Sequence, residues 1–288
     1  MKFTIGIIGN GFVGGATKLL KCKDINVLVW DILPEKCEPV NLKISELKVC
    51  DFIFVCVPTP MEDDGNCHTG IVESVVKDLQ DPKNQIDFKK TNIIIRSTVP
   101  PGTSESLGCY FMPEFLTEAN WREDFYNCRH WIIGSKYNNS EDNEVFFKFK
   151  DLIYTAYKAN VIEYNNVRSL TTKEAEMVKY VRNSFLAVKV SYFNEIYELC
   201  KQMEINYDNI RSATFIDDRI GKSHTQVPGP DGRKGFGGTC FPKDINALSY
   251  FYTETLNVSP PILSAAIYRN ENIDRPERDW AKDKRAKI

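Results

Sequence analysis

The chain has no run of 18 apolar residues, no Cys-x-x-Cys pair and no marked excess of either charge. Each gap excludes something. A bilayer-spanning helix needs about that length of apolar sequence, so no membrane span is expected. A net charge of −2 gives no global attraction to nucleic acid or to an anionic membrane. Histidine occurs only at His68, His130 and His224, with no zinc-like spacing, and no metal site is expected. Nine cysteines is an odd number, and Cys50, Cys56 and Cys200 sit in apolar segments where a buried, reduced thiol is the ordinary state. A disulfide framework does not suit a chain of this size and pattern, which points to a reduced, cytoplasmic protein. The apolar start is interrupted by glycine at once and reads as a strand, not a signal peptide. No internal repeat or low-complexity tract is visible. What remains is 288 residues, 42% hydrophobic and 26% charged, enough for one large or two modest globular domains.

The first half alternates strands and helices. Residues 3–8 form an apolar strand pattern, followed by Gly9-x-Gly11-x-x-Gly14 opening a helical pattern through Leu20. In such a turn the first glycine permits the tight bend and the second a close approach of a pyrophosphate. The third permits close helix–strand packing, with phosphate at the helix N-terminus. A second strand, 26–30, ends at Asp31, 17 residues beyond Gly14. An acid there suits the adenosine ribose hydroxyls and favours NAD over NADP. Lys36 is close enough in sequence to reach the same ribose, an exposed surface lysine being the plain alternative. Strands are expected over 51–57, 92–95, 131–133 and 159–163, with helices over 71–79 and 141–157. Pro58-Thr59-Pro60 and Ser97-Thr98 follow two of these strands, where ligands bind in such sheets. The alternation predicts an α/β, doubly wound parallel sheet of Rossmann type. Glu114 and Glu118 are four apart, on one face if that segment is helical, and suit general-base chemistry or a plain solvated surface.

From 172 to 201 the pattern is helical without a break and apolar on more than one face, a helix of about 45 Å. Lys179 and Asn183 lie one turn apart on it, an arrangement able to stabilise an oxyanion. A short helix near 207–214 and the proline- and glycine-rich loop 226–232 lead to Gly235-Phe-Gly-Gly-Thr-Cys240-Phe-Pro-Lys-Asp244. Cys240 there is a candidate nucleophile, with Lys243 as a nearby cation favouring its thiolate; a buried thiol in a glycine turn is the ordinary alternative. Asp244 is expected to N-cap a helix over 245–252. Pro260-Pro261 starts a last helix, and the charged stretch 275–288 is expected to fray. The expected domains are 1–165, the sheet, and 166–288, a helical domain built on the long central helix.

Taken together, Gly9-x-Gly11-x-x-Gly14, Asp31, Pro58-Thr59, Ser97-Thr98, Pro113-Glu114-Phe-Leu-x-Glu118, Lys179-x-x-x-Asn183, Asp218-Arg219-Ile-Gly221 and the Cys240 stretch resemble the UDP-glucose/GDP-mannose dehydrogenase family. The resemblance covers residues 1 to about 245. It implies an NAD-dependent oxidation of a nucleotide sugar's C6 alcohol to the acid, in two steps, through a thioester on Cys240. By position it implies that Lys179 and Asn183 stabilise oxyanions and that Asp244 and Thr98 position water and protons. Glu118 would be the base for hydrolysis, with Glu114 supporting it. Gly9, Gly11, Phe12, Val13, Gly14, Asp31, Lys36, Pro58, Thr59, Thr98, Glu118 and Lys243 would contact NAD. Phe115, Leu116, Lys179, Asn183, Arg219, Phe236 and Gly237 would contact the sugar nucleotide, Arg219 in the neighbouring subunit of a homodimer built along the central helix. Family members normally continue into a second Rossmann-like domain. This sequence ends just after the linking helix, as in a short member, a truncated one, or one completed by a separate partner. Two alternatives stand beside this one: a single-step β-hydroxyacid-type dehydrogenase, which has no need of the Cys240 stretch, and a non-catalytic NAD- or sugar-binding subunit.

Overall fold

The computed structural model describes residues 1–136 and 140–288. They form two compact units, Met1–Thr59 with Thr69–Lys179, and Pro60–His68 with Tyr180–Ile288.

The first unit is built on seven strands: β1 (Phe3–Ile8), β2 (Ile25–Trp30), β3 (Phe52–Val55), β4 (Asn92–Ile95), β5 (Tyr110–Phe111), β6 (Trp131–Ser135) and β7 (Val167–Thr171). Their order is β2-β1-β3-β4-β5-β6-β7. Neighbours are parallel except β5 and β6, which meet antiparallel at Phe111 and Gly134. The sheet is therefore mostly, not wholly, parallel. Helices α1 (Phe12–Thr17), α2 (Gly70–Gln80), α3 (Thr103–Ser106), α4 (Trp121–Tyr126) and α5 (Ser140–Lys158) complete the unit. The central strand β3 is apolar and buried along its whole length because both faces are covered. In β3, Phe52 and Phe54 join one core cluster with Phe149 and Leu152 of α5, while Ile53 and Val55 join the other with Val72, Val76 and Leu79 of α2.

Residues 159–163 do not form the expected strand. Ala159 and Asn160 make a turn, with Asn160 at φ +56°, a left-handed conformation that asparagine tolerates. Ile162 plugs the core, and Glu163 is tied to Tyr126 by main chain and side chain. The strand forms four residues later, as β7.

The long helix α6 (Thr172–Gln202) has 31 residues, about 46 Å at 1.5 Å per residue. In its first turns, inside the first unit, the fully buried Glu176 accepts the main-chain N–H groups of Gly102 and Ser104 at 2.6 and 2.8 Å. From Tyr180 onward it belongs to the second unit, with α7 (Tyr207–Thr214), α8 (Phe241–Tyr250) and α9 (Pro261–Arg269). A π-helical turn continues α8 over Phe251–Thr255 and α9 over Asn270–Asp274. Small apolar clusters hold this unit: Phe236, Ile245 and Ala266 around Ala187, and Tyr207 and Val227 against Phe193 and Cys200.

Two expectations fail here. Residues 275–288 are packed rather than frayed. Arg275 is 3% exposed and ion-paired with Asp231 at 2.8 Å and Asp279 at 2.5 Å, and Trp280 is buried. Met61 N–H donates to the Ala286 carbonyl and Ile288 N–H to that of Met61. The charges that made the segment look solvated pair partly within it, as Arg285 does with Asp283, and partly outside it, Glu277 with Arg233, Arg278 with Glu271 and Lys287 with Asp63. Nor does Asp244 cap α8. The helix starts at Phe241, with Pro242 accommodated in its first turn and Cys240 at the cap position.

Candidate functional site

In the first unit the glycine turn joins β1 to α1. Gly9 has φ +92°, and a Cβ there would lie 2.6 Å from the Cys56 carbonyl oxygen, so only glycine fits. A Cβ on Gly14 would collide with the Gly9 carbonyl oxygen, whereas one on Gly11 would meet nothing within 4 Å. The turn is thus closed behind and open at Gly11, as close approach of a phosphate requires. Phe12 and Val13 are half-buried in the first turn of α1. At the end of β2, Asp31 accepts the Asn10 N–H at 2.7 Å and the Leu33 N–H at 3.0 Å, which ties the acid to the turn. Lys36 is exposed, and its carbonyl accepts from the Asn10 amide. These residues fit a dinucleotide: a turn without side chains, an adjacent helix N-terminus and a carboxylate at the next strand end. Beyond β3, Pro58 is exposed and Thr59 buried; beyond β4, Ser97 donates to the Val57 carbonyl at 2.6 Å, and Thr98 is buried.

The segment from Glu114 to Glu118 is not helical, so the two carboxylates do not share a helix face. Glu114 is 5% exposed and accepts the Leu116 N–H at 2.8 Å and the Lys179 ammonium at 2.5 Å. Lys179, 2% exposed, also donates to the Glu114 carbonyl at 2.9 Å. Glu118 is on the surface, and Phe115 and Leu116 between them are half-buried. Arg96, which no sequence motif marks, is buried beside Glu114, with Nη1 donating to the Thr17 hydroxyl at 2.9 Å and the guanidinium 5.8 Å from the Phe125 ring.

In the second unit, Cys240 sits at the N-terminus of α8, half-buried, with Sγ 3.8 Å from the Thr239 hydroxyl. Behind it lies a buried polar array. Asp244, 1% exposed, accepts the Lys243 ammonium at 2.6 Å and the Asn183 amide at 2.5 Å. Burial draws the Lys243 ammonium's pKa down, but the Asp244 carboxylate and the Cys67 and Cys240 thiols outweigh it and set it above the ordinary value. Lys243 is a buried cation close to Cys240. Burial pushes Cys50 and Cys109 up to about 12 and Cys56 to about 11, which keeps them neutral and inert.

The Phe236 ring is in the core, and both its main-chain polar groups are taken by the buried Asn270 amide, at 2.7 and 3.0 Å. A Cβ on Gly237 would meet the Arg275 guanidinium at 2.5 to 2.7 Å. Arg219 is exposed and forked to Asp217. Asn194, Asn270 and Arg275, which hold this loop, belong to none of the sequence motifs. Asparagine inside helical segments was the available signal, since it favours local hydrogen bonding over helix. Among the described residues no group of three or more His, Cys, Asp or Glu is placed to hold a metal ion.

A sheet whose first crossover carries an open glycine turn, with a carboxylate after the second strand, defines a dinucleotide-binding unit of the dehydrogenase class. The chain belongs to the UDP-glucose/GDP-mannose dehydrogenase family: residues 40–155 match the model of its NAD binding domain and 173–272 that of its central domain. It is 33% identical over 241 residues to a putative UDP-glucose 6-dehydrogenase, YtcA, of Bacillus subtilis (strain 168), covering 79% of this chain and 52% of that one. It is 32% identical over 243 residues to the UDP-glucose 6-dehydrogenase of Rickettsia felis, covering 80% and 50%. The chain spans about half the length of these curated relatives. In fold it is similar to a UDP-glucose dehydrogenase from Pyrobaculum islandicum (TM-score 0.76, 24% identity, 94% of this chain and 68% of that one). It is also similar to the Mycobacterium tuberculosis 3-hydroxyisobutyrate dehydrogenase (TM-score 0.71, 13% identity, 97% and 96%).

Proposed function

We propose that the chain carries out the NAD-dependent, two-step oxidation of a nucleotide sugar, UDP-glucose in first place, at C6 to the uronic acid. The observation that carries this reading is the buried Lys243–Asp244–Asn183 array directly behind a cysteine at a helix N-terminus. A helix N-terminus and a buried ammonium both favour a thiolate, the nucleophilic form. Gly9, Gly11, Gly14, Asp31 and Thr59, with Thr98, would hold the NAD, which would supply the hydride acceptor for each oxidation. Cys240 adds to the C6 aldehyde to give a thiohemiacetal, whose oxidation leaves a thioester; water then releases the acid and restores the thiol. Lys179 and Asn183, one turn apart on α6, stabilise the oxyanions at C6. Glu114, ion-paired with Lys179, fixes that ammonium in place. Thr98 and Asp244 position water and protons, and the exposed Glu118 is the base for hydrolysis.

Oligomer and remaining contacts belong to the same proposal. Val181, Phe185, Tyr192 and Leu199 are exposed on α6 at spacings of four, seven and seven, an apolar stripe suited to pairing with a second copy. The exposed Arg219 is free to swing from Asp217 to a sugar nucleotide held by that copy. A one-step β-hydroxyacid-type oxidation has one support, the fold likeness to 3-hydroxyisobutyrate dehydrogenase. The deciding experiment counts NADH formed per sugar across UDP- and GDP-sugars. Two NADH per sugar with a uronic acid product supports the proposal. One NADH with a carbonyl product favours the alternative, and NAD binding without turnover favours a non-catalytic subunit.

A further inference from the structure

The glycines preceding Cys240 divide by what they face. Gly235 has φ +67°, and a Cβ there would collide with the Asn270 side chain; one on Gly237 would run into Arg275. Gly238 also has a positive φ, +72°, but a Cβ there would meet nothing within 4 Å. Two of these glycines are therefore needed by the protein itself, and Gly238 alone has open space beside it.

What presses against the loop is specific. The Asn270 amide, fully buried, accepts the Phe236 N–H and donates to the Phe236 carbonyl, engaging the main chain as a neighbouring strand would. Asn194 of α6 accepts the Gly235 N–H at 3.1 Å. The Arg275 guanidinium lies flat against Gly237, held by Asp279 on Nε and Nη2 and by Asp231 on Nη1. On the far side of Cys240, the first turn of α8 is pinned by the Lys243–Asp244–Asn183 array.

We propose that Asn270 and Arg275 are positioning residues for the Cys240 thiol, clamping residues 235–237 so that only Gly238 and Thr239 separate a fixed loop from the fixed start of α8. Neither residue touches Cys240. They act through the main chain, by removing the freedom that four closely spaced glycine and threonine residues would otherwise give the sulfur. The proposal rests on Cys240 being the nucleophile, but the clamp itself can be measured without turnover.

The test uses the full chain with Arg275→Ala, Asn270→Ala, Gly237→Ala and the double variant Gly237→Ala/Arg275→Ala. Iodoacetamide labelling of Cys240 is followed by peptide mass spectrometry, with the half-buried first-unit cysteines Cys22 and Cys128 as internal references. Each single variant should change the Cys240 labelling rate relative to these references by at least about threefold. NADH formation should lose on the order of 10- to 100-fold in kcat with KM for NAD unchanged, the effect expected of a misplaced reacting group. Because Gly237→Ala acts by displacing Arg275, the double variant should be no worse than Arg275→Ala alone. Wild-type labelling ratios in folded Arg275→Ala and Gly237→Ala, or additive losses in the double variant, would overturn the clamp. Acid production by Cys240→Ser would instead remove the nucleophile, leaving the labelling ratios to decide the clamp on their own.

Discussion

Glu114 is ion-paired with a lysine that is 2% exposed, so replacing it tests the buried pair directly. Glu114→Ala removes the carboxylate 2.5 Å from Lys179 Nζ and the acceptor of the Leu116 N–H, while leaving the Glu114 main-chain carbonyl to the ammonium. Stripping one partner from a buried ion pair costs about 3 to 5 kcal/mol, because the other charge stays in a low-dielectric site. A lost hydrogen bond to Leu116 adds about 1 kcal/mol, and the surviving carbonyl contact offsets a similar amount. At roughly 2 to 4 °C per kcal/mol for a unit of this size, Tm should fall by about 6 to 20 °C. The paired replacement Glu114→Leu/Lys179→Met removes both charges and should recover at least half of the loss, since apolar substitutes for a buried pair are often neutral. Calorimetry and urea unfolding of the three proteins supply the numbers. A Glu114→Ala protein within 1 kcal/mol of the wild type, or a double variant less stable than the single one, would refute the reasoning.

Other outcomes follow from the same contacts. The hydrogen bond from Arg275, opposed in part by burial, lowers the Asp279 carboxyl from 3.8 to about 2. A carboxyl depressed on folding stabilises the protein above its unfolded value and loses that contribution as the pH falls toward 2. Asp279→Asn should therefore be less stable than the wild type near neutrality, with the gap closing between pH 4 and 2 in acid titrations followed by circular dichroism. Phe185→Asp places a charge in the exposed stripe of α6 and should shift the sedimenting species from dimer to monomer at micromolar concentration; an unchanged mass would remove α6 as the interface.

Local order was legible wherever neighbours in sequence decide the outcome. The bounds of β1, β4 and α7 are those the residue pattern predicts, and the glycine turn with Asp31 lies where its spacing places it. Long-range partners were not legible. Glu114 pairs with Lys179, 65 residues away, instead of lying beside Glu118 on a helix. Asp244 suits a cap by residue type, but Lys243 and Asn183 claim both its oxygens, and α8 starts earlier. Residues 275–288 look solvated by composition because the acids that neutralise Arg275 include Asp231, 44 positions upstream. Neither periodicity nor propensity reports such pairings.

The central claim is that Cys240 forms a covalent bond to the substrate carbon. The most direct measurement is acid-quench mass spectrometry of the Cys240 peptide during turnover with NAD and UDP-glucose. The account predicts a transient mass increase on that peptide matching the oxidised sugar nucleotide in thioester linkage, removed by hydroxylamine and absent from Cys240→Ser. Acid product formed at the wild-type rate by Cys240→Ser, with no adduct on Cys240 at any time in the wild type, would contradict it.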